Sequence, residues 1–525
     1  MAVVTRSRFS AYLILFSLSG CVPARLEKVR TRNFHQRSGT SAELARAFGG
    51  AEDRAAKNAL GEWLETLTVQ DRSRRQLEVE ADGKHYQVRF HPGDRTIYAD
   101  RYFDRLEPAS HYQVKGVAHH QDDGAGVPLL GYRANHQRTK VERWYPPEGI
   151  YRSVTAVAIP GKGNRNQVEI QLINRQEIDK LRLGGREQYL ADDFTVPWAA
   201  LLENARPLGA SGITSVIRQH TDRKAGFYLM EDYDPQKTPI IFIHGLFSTP
   251  LAWAQITNEV WADPELRSRY QIWHYLYPTR AAALYSARVM RNQLDELRAF
   301  LDPDQKDPAM RRTVVVAHSM GGLLAKTLVV EPKDAYWDVV FTRPLSSLNV
   351  TPEEHKTLEE AFYWKPRGHV DRVIYCSVPF LGSNWATSWI GQIGGLLVAP
   401  DNEFQDFYRG VERKNPGMLT DDYQGLTKSK VTSVGTLAPK QRSMDILAAL
   451  KPVPGTASHV IAGSHDLFVK ADSSAIPYAE SSLTVNTGHG SFRDPKAIAE
   501  IMRILRLPPV AKNSGARKTG VSRSR

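Results

Sequence analysis

Three short segments carry the residue types that nucleophilic catalysis requires. The first is Ala317-His318-Ser319-Met320-Gly321-Gly322. Thr313 to Ala317, a run rich in β-branched residues, leads into it, and a helical pattern continues from it to Glu331-Pro332. A nucleophile on such a turn takes a strained backbone conformation, so the residues two positions away on each side must be small. Gly321 meets that demand, and Ala317 stands where glycine is usual. The turn also places Ser319 at a helix N-terminus, where free N–H groups favour developing negative charge.

The second segment, His244-Gly245-Leu246-Phe247, follows the apolar run Ile240 to Ile243. A tetrahedral oxyanion needs N–H donors from separate segments, and the main-chain N–H groups of Leu246 and Met320 are the candidates. The third lies late in the chain. Gly463-Ser464-His465-Asp466 ends one strand pattern, and Gly488-His489-Gly490-Ser491 ends the next. A serine hydroxyl is a weak nucleophile until a base takes its proton, and an imidazole needs a carboxylate to fix its tautomer. Asp466 and His489 each follow a strand, where ligands of parallel sheets bind. His244 and His318 are competing candidates for the base. His244 reads as a residue that orders its loop, and His318 as packing beside the turn.

These segments need a scaffold, and the pattern from residue 207 onward supplies one. Apolar strands at Ile240–Ile243, Gln271–Tyr277, Thr313–Ala317, Val373–Cys376, His459–Ala462 and Leu483–Val485 alternate with helices. One helix carries Ala283, Ala287, Met290, Leu294, Leu297 and Leu301 on a single face, closed by Asp302-Pro303. Another starts with Asp494 as cap and Pro495 in its first turn. Two more strands, Ile213–Gln219 and Ala225–Tyr233, open the region. Continuous apolar strands separated by helices mean a mainly parallel sheet with helices on both faces.

Over residues 207 to about 508 the chain resembles the α/β-hydrolase family, particularly its bacterial lipases and esterases. The His-Gly loop, the serine turn, and the late Asp and His in that order carry the resemblance. It implies Ser319 as nucleophile, Asp466 as orienting acid, His489 as base, and Leu246 and Met320 as oxyanion donors. Asp472 is the next candidate for the acid. The implied activity is carboxylic ester hydrolysis through an acyl-serine intermediate, on a substrate with an apolar acyl group, without cofactor or metal. Acyl transfer by the same residues is the alternative, and a non-enzymatic, membrane-tethered binding protein on the same fold is the reading of a different class. An insertion at residues 379–455, rich in tryptophan and glycine, reads as a cap or lid, with Trp389 and Leu397 as pocket wall.

The rest of the 525-residue chain reads by composition. Its length predicts two or three domains. Residues 1–20 form a secretory signal: Arg6 and Arg8, then an apolar run shorter than the roughly 20 residues a spanning helix needs. Leu18-Ser19-Gly20-Cys21 resembles the bacterial lipobox, which implies a lipidated Cys21 and attachment to a membrane in the bacterial cell envelope. Val22 favours the outer membrane by the same resemblance. Cys376 then has no partner and reads as a buried small hydrophobe. Residues 21–39 suit a flexible tether and residues 40–206 an accessory β-rich domain. That domain begins with helices near Thr40–Phe48 and from Ala51 to Leu64, and Val168, Ile170 and Leu172 alternate with polar residues as in a half-buried strand. The adjacent His119 and His120 make a poor metal site, since neighbours on a strand face opposite ways. The formal charge of +12 comes with no basic helix or basic-aromatic alternation, which argues against nucleic acid. Residues 511–525 read as a disordered basic tail.

Overall fold

The structure, a computed structural model, describes residues 25–28, 40–205, 225–246, 248–279, 283–381, 402–424 and 442–511. Cys21 and the signal, the expected strand Ile213–Gln219, Trp389, Leu397 and residues 512–525 lie outside the described residues. The chain divides into two compact units, residues 1–237 with 249–274, and residues 238–248 with 275–525. No helix among the described residues is long and apolar enough to cross a membrane.

In the first unit, strand β1 (Arg25–Lys28) precedes helices α1 (Thr40–Phe48) and α2 (Arg54–Thr66). Then come β2 (Leu77–Ala81), β3 (Lys84–Phe90), β4 (Ile97–Tyr98), β5 (Arg105–Pro108) and β6 (Tyr112–Lys115). Strands β7 (Val127–Arg133), β8 (Ile150–Pro160) and β9 (Gln167–Asn174) and helix α3 (Thr195–Asn204) follow. The main sheet runs β2-β3-β9-β8-β7-β5, with β4 also on β9. All its pairs are antiparallel except β3 with β9. Asp53 caps α2 by accepting from the N–H groups of Ala55 and Ala56, and Leu60, Trp63 and Leu64 bury one helical face. With Leu44 and Phe48 of α1, that face joins Val168, Ile170 and Leu172, the alternating inward side of β9. Phe48 and Trp63 meet edge to face at 5.2 Å. The opposite sheet face forms a smaller core from Ile97, Val157, Ile173 and Leu190.

Two expectations change here. Part of the stretch read as tether is strand: β1 pairs antiparallel with β6, Leu26 opposite Val114. Ion pairs flank the ladder, Lys28 with Glu65 and Glu107 and Lys115 with Glu27. The N-terminal unit also reaches beyond residue 206. Residues 249–274, with helix α4 (Ala254–Ala262), cluster with it. Asn258 bonds Thr195 and the Ala118 carbonyl, Trp261 donates to Glu231, and Trp198 donates to the Ala254 carbonyl.

In the second unit, strands β10 (Thr238–Ile243), β11 (Thr313–His318), β12 (Val370–Cys376), β13 (Ala457–Gly463) and β14 (Ser481–Val485) pair in that order. Every one of these pairs is parallel. All residues of β11, β12 and β13 are buried, so both faces of the sheet are covered. Helix α5 (Ala283–Leu301) spans the expected stretch, with Ala287, Met290, Leu294 and Leu297 buried. Helix α6 (Met320–Lys326) is shorter than the sequence suggests. Its exit tightens into i to i+3 bonds, from the N–H groups of Thr327, Leu328 and Val329 to the carbonyls of Leu324, Ala325 and Lys326. Helix α7 (Pro495–Arg506) starts as expected, Asp494 accepting from the Lys496 N–H.

Candidate active site

Ser319 sits between β11 and α6 with φ 53° and ψ −127°. An L-residue adopts that region only when its surroundings impose it, at a cost of about 1–3 kcal/mol. The imposing contacts are visible. The Ser319 N–H donates to the Cys376 carbonyl of β12 at 2.9 Å, and the Gly322 N–H returns to the Ser319 carbonyl at 2.9 Å. At Gly321 a side chain would place its Cβ 2.3 Å from the His244 carbonyl oxygen. That approach explains the glycine after the serine. At Ala317, fully buried, the methyl group is accommodated.

His489 follows β14 and faces Ser319, its Nε2 2.9 Å from the serine Oγ. Its Nδ1 lies 2.8 Å from Asp466 Oδ2. The other carboxylate oxygen of Asp466 accepts from the Phe468 and Val469 N–H groups at 2.8 and 2.9 Å. The Asp466 side chain is fully buried while that of His489 is 19% exposed. A carboxylate only accepts, so Nδ1 carries the proton and Nε2 presents its lone pair to the serine hydroxyl. The two loops are laced together: the Ser464 N–H donates to the Val485 carbonyl at 2.9 Å and the His465 N–H to the Thr487 carbonyl at 3.0 Å. Asp472 is exposed, on the short helix Ala471–Ser474.

The His-Gly turn packs directly on the serine. A Cβ on Gly245 would lie 2.9 Å from Ser319 Cβ and 2.7 Å from His318 Nδ1. Met320, as first residue of α6, has an N–H with no acceptor inside the helix. Leu246 is the next residue after Gly245, on the same turn. His244 is fully buried, its ring stacked on Tyr277 at 4.5 Å with Nδ1 2.9 Å from the Gly245 carbonyl. The Tyr277 hydroxyl donates to the His244 carbonyl at 2.8 Å, and burial raises its pKa well above the usual tyrosine value. His318 meets the main chain of His489, its Nε2 2.8 Å from that carbonyl. Neither of these histidines lies in the Asp466–His489–Ser319 row.

Cys376 is fully buried on β12 with no disulfide partner among the described residues, and burial raises its thiol pKa. His119 and His120 lie in no strand, and their rings point at different acids: His119 to Asp193 at 2.7 Å and His120 to Glu259 at 3.1 Å. The Asp193 hydrogen bond raises the His119 pKa. Among the described residues no group of three or more His, Cys, Asp or Glu is placed to hold a metal ion. Sequence reasoning missed Tyr277, which orders the His-Gly turn, and Phe468, whose ring lies 5.3 Å from that of His489. It also missed the buried Ser377–Ser491 hydroxyl pair at 2.9 Å. In the sequence, that pair is signalled only by Ser491 standing two residues after His489.

Residues 240–501 match the model of the Alpha/beta hydrolase family. Three solved structures are among those to which the chain is similar. A lipase of Bacillus licheniformis in mature form shares 16% identity at a TM-score of 0.30, over 54% of this chain and 98% of its own. A putative aryl esterase from Burkholderia cenocepacia shares 17% at 0.26, over 53% and 91%. A thermophilic esterase from Thermogutta terrifontis shares 16% at 0.29, over 54% and 94%. No curated protein sequence matches the chain. The matched residues have the α/β-hydrolase fold, a mainly parallel sheet with helices on both faces, and a β-rich region precedes them.

Proposed function

We propose that the chain is a serine hydrolase of carboxylic esters, with Ser319 as nucleophile, His489 as general base and Asp466 as the acid that orients it. The observation that carries this reading is the continuous row from Asp466 Oδ2 through both nitrogens of His489 to Ser319 Oγ. Oγ attacks the ester carbonyl while its proton passes to Nε2. The tetrahedral oxyanion faces the N–H groups of Leu246 and Met320, and Asp466 stabilises the imidazolium. Collapse of the intermediate expels the alcohol, which takes the proton from Nε2 and leaves an acyl-serine. Water then attacks that ester, losing its proton to His489, and releases the carboxylic acid. A fluorophosphonate probe that labels Ser319 supports the reading. A protein that turns over esters with Ser319 unlabelled overturns it.

Two further proposals come from the sequence. The substrate carries an apolar acyl group, with Trp389 and Leu397 in its pocket wall. Cys21 is lipidated and holds the enzyme on a membrane of the bacterial envelope, the outer one by the identity of Val22. Several acyl chains on one residue anchor firmly where a single chain binds only marginally.

A further inference from the structure

His318, next to the proposed nucleophile, has its ring wedged between two catalytic loops. Its Nε2 lies 2.8 Å from the main-chain carbonyl oxygen of His489. A carbonyl only accepts, so Nε2 holds the ring proton and Nδ1 keeps a lone pair. That lone pair has no hydrogen-bond partner among the described residues. It lies at the His-Gly turn, 2.7 Å from where a Cβ on Gly245 would stand. The ring also packs on His489 at 4.7 Å and on Phe492 at 4.7 Å.

We propose that His318 is a positioning residue: its Nε2–H grips the carbonyl of His489 and so sets that imidazole against Ser319 Oγ, while its ring spaces the Gly245–Leu246 turn from the base loop. The role rests on His489 being the base. The carbonyl and imidazole belong to one residue, so fixing the first removes backbone freedom from the second. A buried hydroxyl pair also ties down the segment after His489, Ser377 bonding Ser491 at 2.9 Å. The ring must be neutral to do this, because an imidazolium at that distance would repel the one that forms on His489. The surroundings enforce neutrality: burial first, then His489, with Arg493 and His244 also opposing charge, hold the His318 pKa well below its ordinary value.

The test uses the full chain and three variants. His318→Phe keeps the ring volume without the donor, His318→Gln restores an N–H donor, and Ser319→Ala removes the nucleophile. With a short activated ester, His318→Phe lowers kcat about 10- to 100-fold, since displacing a reacting group by about an ångström costs that much. KM stays within about threefold, because the ring touches the base rather than the substrate. His318→Gln recovers most of the lost kcat at equal thermal stability. Histidine-selective ¹⁵N NMR of the parent protein finds His318 as the neutral Nε2–H tautomer at pH 6–8, a result that needs no variant to fold. Parental kcat in His318→Phe, equal losses in both variants, or a charged or Nδ1–H ring at pH 7 overturns the role. If Ser319→Ala stays active, the reading of the site falls and the positioning role with it. If Ser319→Ala is dead and His318→Phe is unimpaired, only the positioning role falls.

Discussion

Asp466→Asn changes one atom and leaves the shape of the site intact, yet the geometry makes it severe. Oδ1 of Asp466 accepts from two main-chain N–H groups, those of Phe468 and Val469, at 2.8 and 2.9 Å. Asparagine must keep its oxygen on that pair, because its NH₂ would meet two donors there. The NH₂ therefore faces His489 Nδ1, 2.8 Å away, and donates to it. Nδ1 then becomes an acceptor, and the ring proton moves to Nε2, which points at Ser319 Oγ. A protonated Nε2 cannot take the serine proton. The wrong tautomer in a triad of this kind costs about 10⁴ in kcat. At about 1.36 kcal/mol per decade that is about 5.5 kcal/mol of transition-state stabilisation. The assay is kcat/KM on a short activated ester, with circular dichroism and thermal melting to show an unchanged fold. Exposed Asp472→Asn is the control and stays within about twofold of parent. If Asp466→Asn retained more than a few per cent of activity, or Asp472→Asn were the damaging change, the orienting role of Asp466 would be wrong.

Gly321→Ala places a methyl against the His244 carbonyl oxygen, so it destabilises the protein by about 1–3 kcal/mol and abolishes Ser319 labelling, read by urea titration and probe gel. Arg133→Met removes the cation paired with buried Glu142 at 2.9 Å, leaving only the Arg138 N–H and the Thr139 hydroxyl as donors to it among the described residues, and lowers stability by about 1–3 kcal/mol, again read in urea. Lys326 is buried, bonded to the Ala448 carbonyl at 3.0 Å and to the Tyr478 hydroxyl, and burial lowers its pKa to about 7. The unfolded chain holds that proton to a higher pH than the folded one, so stability rises from about pH 7 toward the ordinary lysine range and falls again as pH drops. Lys326→Met removes this rise, and melting curves across pH 7 to 10 that kept the parental slope would contradict it. Cys21→Ser blocks lipid labelling, and mass spectrometry that found a free mature N-terminus away from position 21 in the parent would reject the anchor.

The parallel sheet was legible because its strands are apolar on both faces, and a buried parallel sheet leaves that mark in sequence. Thr313 to Ala317 needed no alternation to read as β11, and α5 showed its buried face through Met290, Leu294 and Leu297. What stayed hidden had no local signal. Strand β1, Arg-Leu-Glu-Lys, has one apolar residue and pairs through its main chain with β6, more than eighty residues away. Residues 249–274 belong with the first unit through bonds such as Asn258 to Thr195, which no periodicity reveals. Of the two candidate acids the sequence offered, Asp466 and Asp472, the first is the one whose carboxylate meets His489, a contact between separate loops that no local pattern encodes. The strained serine was foreseeable from Ala317 and Gly321 on either side of it, with a strand pattern before and a helical one after. That His318 grips the carbonyl of the residue it resembles was not, because a main-chain acceptor carries no side-chain signature.

The most direct test of the central claim is mass spectrometry of the protein quenched within the first turnovers of an activated ester. An acyl group on the peptide that contains Ser319 is the predicted result, absent in Ser319→Ala and formed far more slowly in His489→Ala. An acyl group on another residue, or ester turnover that persists in Ser319→Ala, would contradict the account.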